Sequence, residues 1–219
     1  MQTKKGQSIE DASMVMIENE IGTHQYNEKE WPIVRRIIHS TADFDFADKN
    51  KLIFHKDAIE SGMNALKNGC SIVVDVNGVI GGFNKQNPKD FGNKIICNIS
   101  KPEIMELAKK EGKTRSQVSM RAAISDINGG VVVIGNAPTA LIEVIKMVKE
   151  GIVKPALIVG IPVGFICAAE SKEELSKLDE APFITNLGRK GGSSSASAII
   201  NAIFKLIRAE SSTQNYCSK

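Results

Sequence analysis

The hydrophobic positions in the first third of the chain recur every three or four residues, a spacing typical of helices that bury one face. The pattern predicts a first helix that ends near Gly22, a second that opens at Trp31-Pro32 and a third between Asp57 and Gly69. Their predicted buried faces are Ile9, Ala12, Met16 and Ile17, then Ile33, Ile37 and Ile38, then Ile59, Met63 and Leu66. On the second helix Arg36 and His39 are three residues apart, so they share a face.

Beyond residue 70 the pattern changes to short apolar runs rich in β-branched residues, separated by helical segments. Strands are predicted at 71–76, 94–99, 130–135, 156–160 and roughly 183–186. Helices are predicted at about 101–111, 114–126, 137–149 and 192–208. This alternation indicates an α/β fold, a three-layer sandwich with a mainly parallel central sheet and helices on both faces.

Length and composition limit the classes of protein that the chain can belong to. Its 219 residues, 42% of them hydrophobic, suit a single domain over 1–210, followed by a polar, disordered tail at 211–219. A net charge of +3 and only 5% aromatic residues argue against a dedicated nucleic-acid binder. No apolar segment follows the basic N-terminus, and the run at 156–169 is too short to span a bilayer. A soluble cytoplasmic protein with no membrane partner is therefore expected.

The cysteines and histidines give no sign of a metal centre. Cys70, Cys97, Cys167 and Cys217 are widely spaced and form no CxxC pair, which argues against a zinc site or a disulfide framework. HxxxH and HExxH are also absent, so no metal ligand is predicted.

Glycine-rich turns follow three of the predicted strands, at 75–83, 135–140 and 188–195. In parallel α/β sheets, ligands bind beyond the carboxyl ends of the strands, where backbone amides can hold anions. Asn136, Arg189 and Lys190 lie in these turns and are candidate contacts to an anionic ligand. Helix capping and close packing explain the same turns about equally well. Neither a GxGxxG motif, a complete P-loop nor a GxSxG elbow is present.

The run RRIIHSTADFDFAD places His39 three and four residues after two arginines, with Asp43, Asp45 and Asp48 beyond it. Histidine titrates near neutral pH and can both give and take a proton. The two guanidiniums attract anions and disfavour a resting imidazolium. The run therefore indicates an acid/base residue beside a carboxylate- or phosphate-rich ligand. A solvated helix end with mixed charges is the alternative explanation.

Six segments in order resemble the precorrin-8X methylmutase family, and together they cover nearly the whole chain. They are IEDASMVMIENEIG, RRIIHSTADFDFAD, DVNGVIGGF, GNAPTAL, PALIVGIPVGFICAAESKEEL and GRKGGSSSASAIINAI. VGFICAAESKEEL and GNAPTAL are the most specific. The resemblance implies an isomerase of cobalamin biosynthesis that moves a methyl group from ring carbon eleven to ring carbon twelve of precorrin-8X or its cobalt form. It also implies a cofactor-free homodimer whose product is hydrogenobyrinate or cobyrinate.

Carried over to this sequence, the resemblance makes His39 the catalytic histidine, with Arg36 and Ser13 as substrate-binding residues. Asn136, Arg189 and Lys190 are further candidates to hold the carboxylates of the tetrapyrrole substrate. Arg115 and Arg121 are weaker candidates, because an exposed helix also explains them. Gly78-Val79 and Phe83 depart from the family's usual residues, and we expect them to reshape the pocket wall.

Two other functions are compatible with parts of the sequence. A non-catalytic corrinoid-binding or delivery protein would use the same carboxylate contacts without needing a positioned His39. A phosphate- or nucleotide-binding module would use the glycine-rich turns, although none of them carries a complete phosphate motif.

Overall fold

The computed structural model describes residues 3–48 and 51–217, the side chains of 213–217 excepted. Within these residues six strands form one sheet. They are β1 (Leu52–Phe54), β2 (Ile72–Val74), β3 (Ile95–Ile96), β4 (Val131–Ile134), β5 (Leu157–Gly160) and β6 (Phe183–Asn186). The helices are α1 (Lys4–Ile21), α2 (Glu30–Thr41), α3 (Ala58–Lys67), α4 (Asn77–Gly81), α5 (Gln86–Asp90), α6 (Pro102–Glu111), α7 (Arg115–Arg121), α8 (Ile124–Ile127), α9 (Pro138–Lys149), α10 (Ala168–Leu175) and α11 (Ser193–Cys217), with a 3₁₀ turn at Phe44–Ala47.

The strand order is β1-β6-β5-β4-β2-β3, and all neighbours pair in parallel except β1, which is antiparallel to β6. β2, β4 and β5 consist of Val, Ile, Leu and Gly and are fully buried, as expected for strands covered on both faces. The chain leaves β2 toward one edge of the sheet and returns past it to β4. The carboxyl ends of β2 and β4 therefore form the switch point where ligands bind in such folds.

Helices cover both faces of the sheet, which confirms the predicted three-layer α/β sandwich. Successive strand residues point to opposite faces, so Val131 and Val133 join one core while Val132 and Ile134 join the other. The first core lies under α2, α3 and α11, and the second under α8, α9 and α10. α1 packs on the outside of α2 rather than on the sheet.

Two details of the predicted helices are wrong, and four further elements were not predicted. The helix predicted at 114–126 is divided into α7 and α8, with Ala122 and Ala123 between them. On α1 the buried residues are Met14 and Ile17, whereas Ile9 and Met16 are 59% and 69% exposed, because the contact with α2 fixes a different face. The strand β1 and the helices α4, α5 and α10 are additional to the predicted elements.

The disordered tail predicted at 211–219 is also wrong for 211–217, which continue α11. Residues 193–217 contain no proline or glycine to stop the helix. The Ser211 and Ser212 hydroxyls donate to the backbone oxygens of Ile207 and Arg208, both at 2.9 Å, so these polar residues are compatible with helix. Residues 218 and 219 lie outside the described residues. Among the helices of the described chain, none has the length and apolar character needed to cross a membrane.

Candidate functional site

The three glycine-rich turns meet at the carboxyl edge of the sheet. A Cβ on Gly135 would lie 2.9 Å from Cα of Ser193 and 3.0 Å from Cγ2 of Val79. A Cβ on Gly78 would lie 3.2 Å from Oγ of Ser193. The glycines therefore let the turn after β4, the helix α4 and the start of α11 approach one another closely. The three turns therefore lie side by side at this edge of the sheet, and a ligand-binding crevice there stays a prediction.

Asp75 joins two of these turns from below. Its buried carboxylate accepts hydrogen bonds from the backbone N–H groups of Gly135 (3.1 Å), Asn136 (2.8 Å) and Ala137 (2.7 Å). Burial raises the pKa of the carboxyl group, while these hydrogen bonds act in the opposite direction. The backbone N–H groups of this turn, which the sequence suggested for binding an external anion, are therefore already hydrogen-bonded to Asp75. The Asn136 side chain is exposed at this edge, so a ligand contact through its amide group stays a prediction.

The loop after β6 is held from beneath by Lys172 of α10. Lys172 is 0% exposed, and its Nζ donates to the backbone oxygen of Lys190 at 2.6 Å and to Asn186 Oδ1 at 3.3 Å. Asn186 Nδ2 in turn donates to the backbone oxygens of Leu187 and Lys190, at 3.1 Å and 3.0 Å. Burial lowers the pKa of Lys172 to about 8. The loop is therefore shaped by a buried amide and a buried ammonium group.

The Lys190 side chain connects this loop to the segment that follows His39. Its Nζ lies 2.8 Å from Asp43 Oδ2 and 2.7 Å from Asp45 Oδ2, and these hydrogen bonds raise its pKa. The sequence assigned Lys190 to substrate binding, but here its charge is engaged by two carboxylates. Asp43 and Asp45 thus hold this loop against the end of α2. A direct contact between Lys190 and a ligand stays a prediction.

Arg189 is the neighbouring cation in the same loop, and it is exposed. Its guanidinium carbon lies 5.5 Å from the ring centroid of Phe165, within range of a cation–π contact. Phe165 and Ile166 are each 83% exposed, and Val163 and Leu187 are also exposed nearby in the chain. Arg189 therefore lies beside exposed apolar side chains at the carboxyl edge of the sheet.

His39 lies half-buried in the last turn of α2, where α1 and α11 add charged groups. Arg36 Nη1 lies 2.7 Å from Glu10 Oε1 of α1, and Lys205 Nζ of α11 lies 3.4 Å from the same oxygen. Burial and the Arg36 charge lower the pKa of His39, the Glu10 carboxylate raises it and Lys205 lowers it slightly further. The net effect favours the neutral imidazole of His39 in the unbound protein.

A cleft of about 470 Å³ lies between α1, α2 and α11 next to this group of charges. Glu10, Arg36 and Lys205 are among the residues that line it. Ser13 lies on α1 one turn after Glu10, and its hydroxyl donates to the backbone oxygen of Ile9 at 2.8 Å. The predicted pair of Arg36 and His39 thus shares an environment with Glu10 and Lys205, which the sequence did not single out.

Comparison with known proteins decides the family. The family model described as precorrin-8X methylmutase matches residues 8–206. The chain belongs to the precorrin-8X methylmutase family. It is 49% identical over 201 residues to the cobalt-precorrin-8 methylmutase of Priestia megaterium, covering 92% of this chain and 88% of that one. For the cobalt-precorrin-8 methylmutase of Methanocaldococcus jannaschii the identity is 44%, with 95% and 97% covered.

A solved structure of a methylmutase gives the same result for the fold. The precorrin-8X methylmutase of Thermus thermophilus superimposes with a TM-score of 0.86 at 34% identity, over 94% of this chain and 98% of that one. The likeness covers nearly the whole chain, so the α/β fold described here is the fold of that methylmutase.

Other residues singled out in the sequence have structural explanations within this methylmutase fold. Arg121 Nε lies 2.5 Å from Oε1 of the buried Glu143, which joins α7 to α9, and Arg115 is exposed. Phe83, which we expected in a pocket wall, is 5% exposed and belongs to the core under α2 and α11. Arg35 pairs with Glu18 of α1. Among the described residues, no group of three or more His, Cys, Asp or Glu could hold a metal ion.

Proposed function

We propose that this chain moves a methyl group from ring carbon eleven to ring carbon twelve of a precorrin-8 macrocycle, with His39 as general acid. The family match over residues 8–206 carries this proposal and also supports a single domain over 1–210. We take the cobalt form as the substrate, with cobyrinate as the product. The support for this choice is that the relatives at 49%, 46% and 44% identity are named cobalt-precorrin-8 methylmutases. The cobalt would arrive inside the macrocycle, as part of the substrate.

The methyl group moves within one molecule, so no external methyl donor takes part. The reaction instead depends on a proton donor that polarises the conjugated ring and on firm orientation of the macrocycle. A histidine that donates a proton to the conjugated ring makes the migration easier, and it takes a proton back afterwards because substrate and product are isomers. General acids of this type contribute ~10²–10⁴-fold to rate. Arg36 and Arg189 can each form charge-assisted hydrogen bonds with a carboxylate at the edge of the macrocycle. Holding the macrocycle in one orientation lowers the entropic part of the barrier.

The environment of His39 couples binding of the substrate to this proton transfer. In the unbound protein burial, together with the Arg36 charge, holds the pKa of His39 below its usual value. A substrate carboxylate bound to Arg36 would offset that charge and raise the pKa, so His39 would acquire its proton as the anionic substrate binds. In the unbound protein the Glu10 carboxylate pairs with the Arg36 guanidinium, and we propose that a substrate carboxylate replaces part of this contact.

This coupling predicts a specific pH dependence. A general acid acts only while protonated, so kcat/KM is expected to fall as the pH rises through a pKa below 6.5, and kcat to fall at a higher pH. Arg36→Met removes one of the two cations that lower the pKa of His39, so it should move the kcat/KM limb to higher pH. Steady-state rates of the wild-type and variant proteins between pH 5 and 9 (roughly the range in which imidazole titrates) measure both limbs. A limb that stays in place in Arg36→Met would contradict the assignment.

The exposed apolar residues at the carboxyl edge also support this function. Phe165 and Ile166 present an apolar surface beside Arg189, which suits a flat macrocycle that carries carboxylates at its rim.

A second apolar surface lies on α1, where Ile9, Val15 and Met16 are 59%, 54% and 69% exposed. We propose that this surface is covered in the homodimer that the family resemblance predicts. The cytoplasmic location likewise stays a prediction.

An absorbance experiment separates the proposed isomerase from a corrinoid-binding protein. Catalytic amounts of the protein are mixed with cobalt-precorrin-8, and spectra are recorded over time against a sample without protein. We expect the whole substrate pool to change to the cobyrinate spectrum. A spectral change limited to one equivalent of bound ligand would support the binding protein instead. Binding of a nucleotide with no effect on the corrinoid would support the phosphate-binding module.

A further inference from the structure

Lys172 is a buried charge that the proposed reaction does not yet use. It lies in the segment VGFICAAESKEEL, one of the most specific parts of the family resemblance. The acceptors of its ammonium group are the backbone oxygen of Lys190 and the side-chain oxygen of Asn186, and both are uncharged. Burial of an ammonium group without a carboxylate partner is costly, since the charge loses its hydration.

The cost of this burial argues that stability alone does not explain the lysine. A methionine has a similar length and could occupy the same space without losing hydration. The depressed pKa of Lys172 reflects the same desolvation. The ammonium group must therefore contribute through what it holds in place, which is the loop that follows β6.

That loop links two groups of predicted site residues, those on the loop itself and those on α2 around His39. Lys190 is held at its backbone oxygen by Lys172 and at its ammonium group by Asp43 and Asp45, which follow His39 on the chain. Arg189, the exposed cation, is the residue directly before Lys190. Loss of the Lys172 ammonium group would therefore alter both the orientation of Arg189 and the packing of the loop against the end of α2.

We propose that Lys172 is a positioning residue, whose ammonium group fixes the loop 187–192 so that Arg189 meets a carboxylate of the substrate. The inference rests on the proposed function, because it names the residue that prepares one of its substrate contacts. Lys172 acts through the loop backbone and does not itself contact the substrate.

A double-mutant cycle on KM tests this role. Lys172→Met and Arg189→Met are each expected to raise KM by about tenfold, with a smaller change in kcat. The double variant should be no worse than the more severe single variant, because both changes remove the same substrate contact. Lys177→Met is the matched control, since Lys177 is exposed next to the same helix and pairs only with Glu173 among the contacts described. Its KM should stay within about twofold of wild type.

Each outcome of the cycle decides the inference. A KM for Lys172→Met equal to that of wild type, or effects of the two substitutions that multiply, would overturn it. If Lys172→Met does not fold, Lys172→Gln takes its place, because it retains a donor for the loop, and it should raise KM by less than Arg189→Met does. If the wild-type protein does not turn over the substrate, the proposed function fails by itself. Amide hydrogen exchange then still tests the loop: exchange of residues 187–192 should be faster in Lys172→Met than in Lys177→Met, and equal exchange would overturn the inference.

Discussion

His39→Ala is expected to lower kcat for methyl migration by about 10²–10⁴-fold, the usual contribution of a general acid. KM should change far less, because Arg36 and Arg189 would still bind carboxylates of the substrate. The absorbance assay described above measures both constants. His39 is half-buried at the end of α2 and outside the two sheet cores, so its replacement should leave the fold intact.

His55→Ala is the matched control for this experiment. His55 precedes α3, and its Nδ1 accepts a hydrogen bond from the backbone N–H of Asp57 at 3.2 Å. We expect kcat within about twofold of wild type for this control. Migration at the wild-type rate in His39→Ala would refute the assignment of His39 as the proton donor. The same loss of rate in His55→Ala would show that the effect is not specific to His39.

Asp75→Ala is expected to lower the free energy of unfolding by about 3 kcal/mol. The substitution leaves the backbone N–H groups of Gly135, Asn136 and Ala137 without their acceptor. Hydrogen bonds to a charged group contribute about 1.5–3 kcal/mol each, and the cost of burying the carboxylate offsets part of the sum. Urea unfolding, monitored by circular dichroism, measures the difference.

Asp57→Ala provides the control for the effect of losing an aspartate. Asp57 precedes α3 without a capping hydrogen bond from its side chain and is exposed, so we expect a change within about 0.5 kcal/mol. Asp75→Ala should also reduce activity, because Gly135 packs against Ser193 at the start of α11. An Asp75→Ala protein as stable as wild type would show that the turn after β4 does not depend on this carboxylate.

The fold could be predicted from sequence wherever the apolar runs were long enough. β4 and β5 are buried runs of Val, Ile and Leu, with Gly160 closing β5, and the runs alone predict them. β1 has only three residues, too few to show a period, and it forms through antiparallel pairing with β6 at the sheet edge. The prediction of a disordered tail was wrong for a different reason. Its polar composition suggested disorder, but composition does not stop a helix that contains no glycine or proline.

The candidate site was predictable only as far as local spacing allows. Arg36 and His39 share a turn of α2, so their proximity follows from the sequence. The carboxylate that pairs with Arg36 comes from Glu10, twenty-six positions earlier in the sequence, and no local pattern indicates that pair. Asp75 and Lys172 were missed because their roles depend on burial. Residue type alone suggests that aspartate and lysine are exposed, and only the packing of β2 and α10 shows otherwise.

The most direct test of His39 as the proton donor is the structure of this protein with the reaction product, cobyrinate, bound. We expect the His39 imidazole to face ring carbons eleven and twelve within hydrogen-bonding reach of the macrocycle, with Arg36 and Arg189 on carboxylates at its rim. A product bound at this edge with another group facing these carbons would contradict the assignment of His39. A product bound away from the carboxyl edge of the sheet would contradict the site itself.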